Sequence, residues 1–145
     1  LAGSGYTGKF KIGTILRWRF NLTKTAAGTA SSTFDVRIGT AGTTADTAVL
    51  TFTKPAGTAA ADEGEVQIWV VSRGPLTASG IFAGNFTLIH NLAATGHAVI
   101  PVVAVNAVSS AFDVTTANLI AGLSVTSGAA DAITIQQLRA EIDNA

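Results

Sequence analysis

Two histidines, His90 and His97, and a short acidic run, Asp62, Glu63 and Glu65, are the residues of this chain best equipped for chemistry. Imidazole and carboxylate groups could hold a divalent metal or pass a proton. A metal site would need a third ligand close by and carboxylates behind the histidines, and no acid lies between Glu65 and Asp113. The histidines therefore read as one at a strand end and one in a loop. The acidic run could attract calcium, but it lacks the alternating oxygen ligands and central glycine of a calcium loop and reads as a solvated turn. No metal and no cofactor are expected. Gly3-Ser4-Gly5-Tyr6-Thr7-Gly8 has the GxGxxG spacing of a dinucleotide site, but those glycines work only between a strand and a helix. Here the motif runs into KFKIG and reads as a flexible arm. No GxSxG elbow occurs. Two histidines and nine acids leave little material for a triad, so the chain is expected not to be an enzyme.

Aromatic rings and cations offer binding rather than catalysis. Trp18 and Trp69 could each present a flat face to a sugar. Trp18 falls on the apolar face of its segment and is expected in the core, which leaves Trp69 as the ligand-facing aromatic. The first 24 residues carry Lys9, Lys11, Arg17, Arg19 and Lys24 without an acid, whereas from Ala111 onward Asp113, Asp131, Glu141 and Asp143 stand against Arg139 alone. A solvated surface explains this asymmetry. The sharper expectation is that Lys9, Lys11, Arg17 and Arg19 carry a basic arm onto an acidic surface of a neighbouring subunit.

Strands must position these groups, because Ala, Thr, Val, Ile and Gly dominate the chain and suit pleats and tight turns. Thr14 to Leu22 places Leu16, Trp18, Phe20 and Leu22 on one face and Arg17, Arg19 and Asn21 on the other, the alternation of a half-buried strand. Ser32 to Thr40 repeats it with Phe34, Val36 and Ile38 inward. A short helical turn is predicted over Thr44 to Val49, before Leu50 and Phe52. Val66 to Val71 is apolar on both faces and is predicted to be central, ending at Gly74-Pro75. Ile81 to His90 alternates again. Ala98 to Val105 is interrupted by Pro101, which marks an edge or bulge. Phe112 to Thr115 and Leu119 to Thr126 follow. In Ala132 to Ile142, Ile133 and Ile135 alternate as in a strand, yet Ile135, Leu138 and Ile142 recur at helical spacing with Asp131 as an N-cap. A closing strand is preferred, since a sheet edge needs cover. About eight short strands at this spacing predict an all-β sandwich or barrel over residues 14–145, behind a Gly-rich basic arm of residues 1–13.

Composition bounds the rest. A chain of 145 residues fits one domain with a core of its own. Nine cations balance nine anions, which argues against nucleic acid as a partner, since that affinity grows with the cations set against phosphates. Without cysteine there is no disulfide or thiolate zinc. No apolar run approaches the roughly 20 residues of a membrane helix, and nothing at the start resembles a signal peptide. A start at Leu1 suggests a processed chain or one cut from a longer protein. The sequons Asn21-Leu22-Thr23 and Asn85-Phe86-Thr87 fall inside predicted strands.

The run RWRFNLTKTAAGTASSTFDVRIGTAGTTADTAVLTFT, the VVSRG of Val70 to Gly74 and the closing AITIQQLRAEI resemble the small jelly-roll domains of tailed-bacteriophage structural proteins. Such domains occur as head fibres, capsid decoration proteins and parts of tail fibres. The resemblance covers about residues 14 to 142. It implies an eight-stranded antiparallel sandwich, commonly trimeric, located on the virion and joined to capsid, collar or fibre stem, and it supplies no catalytic residues. The expected function is accordingly a non-enzymatic virion structural protein, displayed through loops such as Gly39 to Asp46, Thr58 to Glu65 and Asn91 to His97. A module that binds carbohydrate, such as a host-surface glycan, or another host receptor is the alternative, and an unrecognised hydrolase the third reading.

Overall fold

The computed structural model describes residues 10–25, 28–90, 96–128 and 130–143. They form eight strands: β1 Ile15–Thr25, β2 Ser32–Gly39, β3 Thr47–Lys54, β4 Asp62–Ser72, β5 Phe82–His90, β6 Val102–Val108, β7 Ile120–Thr126 and β8 Ala132–Asp143. All pairings are antiparallel. One sheet has the order β6-β5-β4-β1-β8 and the other β3-β2-β7, giving a five-over-three sandwich. The first strand lies beside the last and the second beside the seventh.

The alternation read from the sequence decides what lies between the sheets. Cross-strand partners share a face, so the inner face of the large sheet is built in rows. Trp18, Ile68, Phe86 and Val105 make one row; Phe20, Val66, Leu88 and Val103 make the next. The small sheet answers with Phe34, Val36, Leu50 and Phe52. Phe86 sits at the centre, its ring 4.8 Å from that of Phe34 and 6.1 Å from that of Phe52. Each such buried side chain contributes about 1.5–3 kcal/mol of transfer free energy. Trp18 is in this core, and β4 is flanked by β5 and β1, as its two apolar faces predict.

Several boundaries differ from expectation. No helix forms over Thr44 to Val49: the chain turns, with Asp46 accepting from the Ala41 and Gly42 N–H groups, and enters β3 at Thr47. The β2–β3 register shifts between Val36 and Arg37, which lets Val49 and Leu50 both be buried. The acidic run is not a loop. Asp62, Glu63 and Glu65 begin β4, paired with Lys24, Thr23 and Asn21 of β1. Phe112 makes a single bridge to Gly80 rather than a strand. The strand after Pro101 begins at Val102 and is the sheet edge.

Residues 1–9, including Lys9 and the glycine motif, lie outside the described residues. The next few are packed on the domain: the Phe10 ring meets Phe82 edge-on at 5.3 Å, and the Gly13 N–H donates to the Ser72 carbonyl.

Candidate functional site

The inner rows stop being apolar at one end of the sandwich. Lys24 continues the inward series of Leu16, Trp18, Phe20 and Leu22; Lys54 continues Leu50 and Phe52; Asp62 precedes Val66 and Ile68; His90 follows Phe86 and Leu88. All four are buried, with His97 and the Asp131 side chain beside them. The β1–β2, β3–β4, β5–β6 and β7–β8 connections meet here, and the charges are bonded mainly to main-chain atoms of those connections.

Lys24 Nζ donates to the Thr58 carbonyl at 2.5 Å and the Gly96 carbonyl at 3.0 Å, and lies 3.7 Å from Asp131 Oδ1. Lys54 Nζ donates to the carbonyls of Pro55 and His97. Asp62 accepts from the Glu63 and His97 N–H groups and faces His90 Nδ1 at 2.7 Å. His90 Nε2 donates to the Ile100 carbonyl at 2.5 Å. Both His90 nitrogens thus face acceptors. His97 differs: its Nε2 donates to the Leu22 carbonyl at 3.2 Å, and its Nδ1 has no partner among the described residues. The loops also close on one another where only glycine fits. A Cβ on Gly96 would stand 2.2 Å from the Ala60 carbonyl oxygen.

Electrostatics follow from this burial. Removal from water pushes the Asp62 carboxyl up, but the His97 N–H and the His90 ring together outweigh it and hold the group below its ordinary range. Burial pushes His97 down, against the opposing Leu22 bond and Asp62 charge. Burial likewise lowers Lys54, partly offset by Asp131. The arrangement binds loops to the sandwich end, with its polar atoms turned inward.

The surface candidates lie elsewhere, on the outer face of the large sheet. One row there runs Glu141, Arg17, Trp69, Asn85 and Asn106; the next runs Arg139, Arg19, Gln67, Thr87 and Ala104. Trp69 is exposed at 49%, beside a shallow groove that also reaches Arg19, Gln67 and Arg139. The Arg17 guanidinium sits over its ring, 4.7 Å from the centroid. Arg19 bonds Glu65 at 2.6 Å, which holds the Glu65 carboxyl down, and Arg17 lies 3.9 Å from Asp143. Arg17 and Arg19 are therefore strand residues already paired within the chain. Lys11 is exposed just before β1.

His90 and His97 do come together, their ring centroids 5.9 Å apart. Among the described residues no three of His, Asp and Glu are placed to hold a metal ion. His97 is wholly buried, not an exposed loop residue as expected, because Asp62 and Lys54 draw its backbone inward. Lys24, Lys54 and Asp131 were not expected in this site. Alternation marks the first two as inward, while Asp131 precedes its strand and carries no such signal.

Comparison with protein-family models, with curated protein sequences and with solved structures finds no match for this chain.

Proposed function

We propose that this chain is a non-enzymatic virion structural protein: a surface-displayed capsid decoration, head-fibre or tail-fibre domain that assembles with copies of itself and with other virion proteins. The phage reading rests on the sequence resemblance. The observation that carries the assembly is the mismatch of five strands over three. β8 lies at the edge of the large sheet, and its core-side residues Ile135, Leu138 and Ile142 remain 39%, 58% and 43% exposed. Leu123 and Val125 of β7, on the core side of the small sheet's edge, are likewise only half-buried. An apolar row on an unpaired edge is surface that a neighbouring subunit covers, and a homotrimer is the assembly this reading entails. Display in many copies then turns weak single contacts into strong attachment.

Immunogold labelling of purified phage particles with antibody against this chain tests the reading. Gold on intact particles supports it; particles that carry neither gold nor peptides of the chain would overturn it. A glycan-binding head is the second reading, favoured by the exposed Trp69 indole between Gln67 and Asn85. Glycan-array binding abolished by Trp69→Ala would establish that reading, and an array without signal would remove it.

A further inference from the structure

Lys24 lies near the end of the first strand and Asp131 immediately before the last, and their side chains are 1% and 0% exposed. Lys24 Nζ stands 3.7 Å from Asp131 Oδ1, its position fixed by the carbonyls of Thr58 and Gly96. Neither Asp131 carboxylate oxygen has a hydrogen-bond partner among the described residues. The Gly28 backbone closes on the same carboxylate, leaving no room even for a methyl group: a Cβ there would stand 2.0 Å from Oδ1. The two carbonyl bonds hold the Lys24 nitrogen beside a carboxylate that no described residue engages, both out of water, and such fixed proximity lowers the barrier to bond formation.

We propose that Lys24 and Asp131 condense to a side-chain amide that ties the first strand to the last. The pair supplies all the atoms required. The ammonium passes one proton to the carboxylate, leaving an amine beside a carboxylic acid. The amine nitrogen attacks Cγ, the bond from Cγ to one oxygen breaks, and that oxygen leaves as water with the transferred proton and one more from nitrogen. The amide keeps the third. Nothing is oxidised or reduced and no co-reactant enters. The product carries neither charge and one carbonyl oxygen in place of two unpartnered ones, which removes the cost of keeping an ion pair out of water.

Intact-mass measurement of the purified, folded full chain, aged at neutral pH, tests the step. The expected mass is one water below that of the sequence, with a tryptic product joining the Lys24 and Asp131 peptides and no cleavage after Lys24. Lys24→Arg and Asp131→Ala restore the full mass, whereas Lys54→Arg keeps the deficit. Folded wild-type chain at full mass overturns the proposal whatever the variants do. So does a deficit that persists in Lys24→Arg, or one mapped to a cyclised aspartate with Lys24 still cleavable.

Discussion

Asp62 begins the β4 strand and gathers its bonds from three sides: the Glu63 N–H, the His97 N–H and the His90 ring. Hydrogen bonds to a charged group are worth about 1.5–3 kcal/mol, and Asp62→Asn, which puts an amide where N–H donors meet a carboxylate, is expected to lose about that much at pH 7 by denaturant titration. The sign of the pH dependence follows from the directions of the shifts. The Asp62 carboxyl is held below its unfolded range, so its contribution is complete above that range and is lost as pH falls through the folded value. The gap between wild type and Asp62→Asn therefore closes in acid. His97 acts earlier. The unfolded ring takes up a proton near pH 6.5, while the buried ring resists it, so stability starts to fall as pH drops through about 6.5 toward the folded value. Denaturation midpoints measured from pH 8 to pH 2 should decline in two stages, and His97→Gln should remove the first. Much of this was legible in the sequence. Lys24, Lys54, Asp62 and His90 sit at inward positions by simple alternation, and the same rule that buries Leu22 buries Lys24. What alternation cannot tell is that connecting segments would supply carbonyls to such charges, because those partners are remote in sequence.

β8 shows how an element can imitate another. Ile135, Leu138 and Ile142 recur at helical spacing, yet the segment is a strand. The β1–β8 register shifts between Arg19 and Asn21, where Gln137 adopts a positive φ of 54°. One extra residue at this bulge changes the parity, so Ile133 and Ile135 before it and Leu138, Ala140 and Ile142 after it all turn to the core side. Two strand halves in different phase look like a helix when read as one. The connections obey a different constraint, close approach. Gly96→Ala would place a methyl carbon 2.2 Å from the Ala60 carbonyl oxygen and 2.6 Å from Asp62 Cβ. Overpacking of this kind costs about 1–3 kcal/mol. Gly122 in β7 has nothing within 4 Å of the same position and no positive φ, so Gly122→Ala is expected to be neutral or to stabilise by up to about 1 kcal/mol. Thermal unfolding of the two variants side by side checks this contrast.

For the whole molecule, the two ends and two faces divide the labour. The end where the β1–β2, β3–β4, β5–β6 and β7–β8 connections meet is drawn inward by buried charge, and the outer face of the large sheet holds its cations in pairs and over an indole. Among the described residues, Arg17, Arg19, Lys24 and Arg37 each lie near a carboxylate of the same chain. Exposed apolar side chains include Ile135, Leu138 and Ile142 on the open core side of β8. Leu138 is 58% exposed and contributes little to the fold by itself, so Leu138→Glu should leave thermal unfolding of the isolated subunit within about 0.5 kcal/mol of wild type. A charge at that point would sit inside any interface formed there, where an unpaired buried charge is costly. Native mass spectrometry of the wild-type chain and Leu138→Glu, across micromolar concentrations at neutral pH, decides whether β8 forms an interface between copies. A closed oligomer of three copies is expected for the wild type and monomer for the variant. A wild-type chain that stays monomeric throughout, or an oligomer indifferent to the added charge, would contradict it.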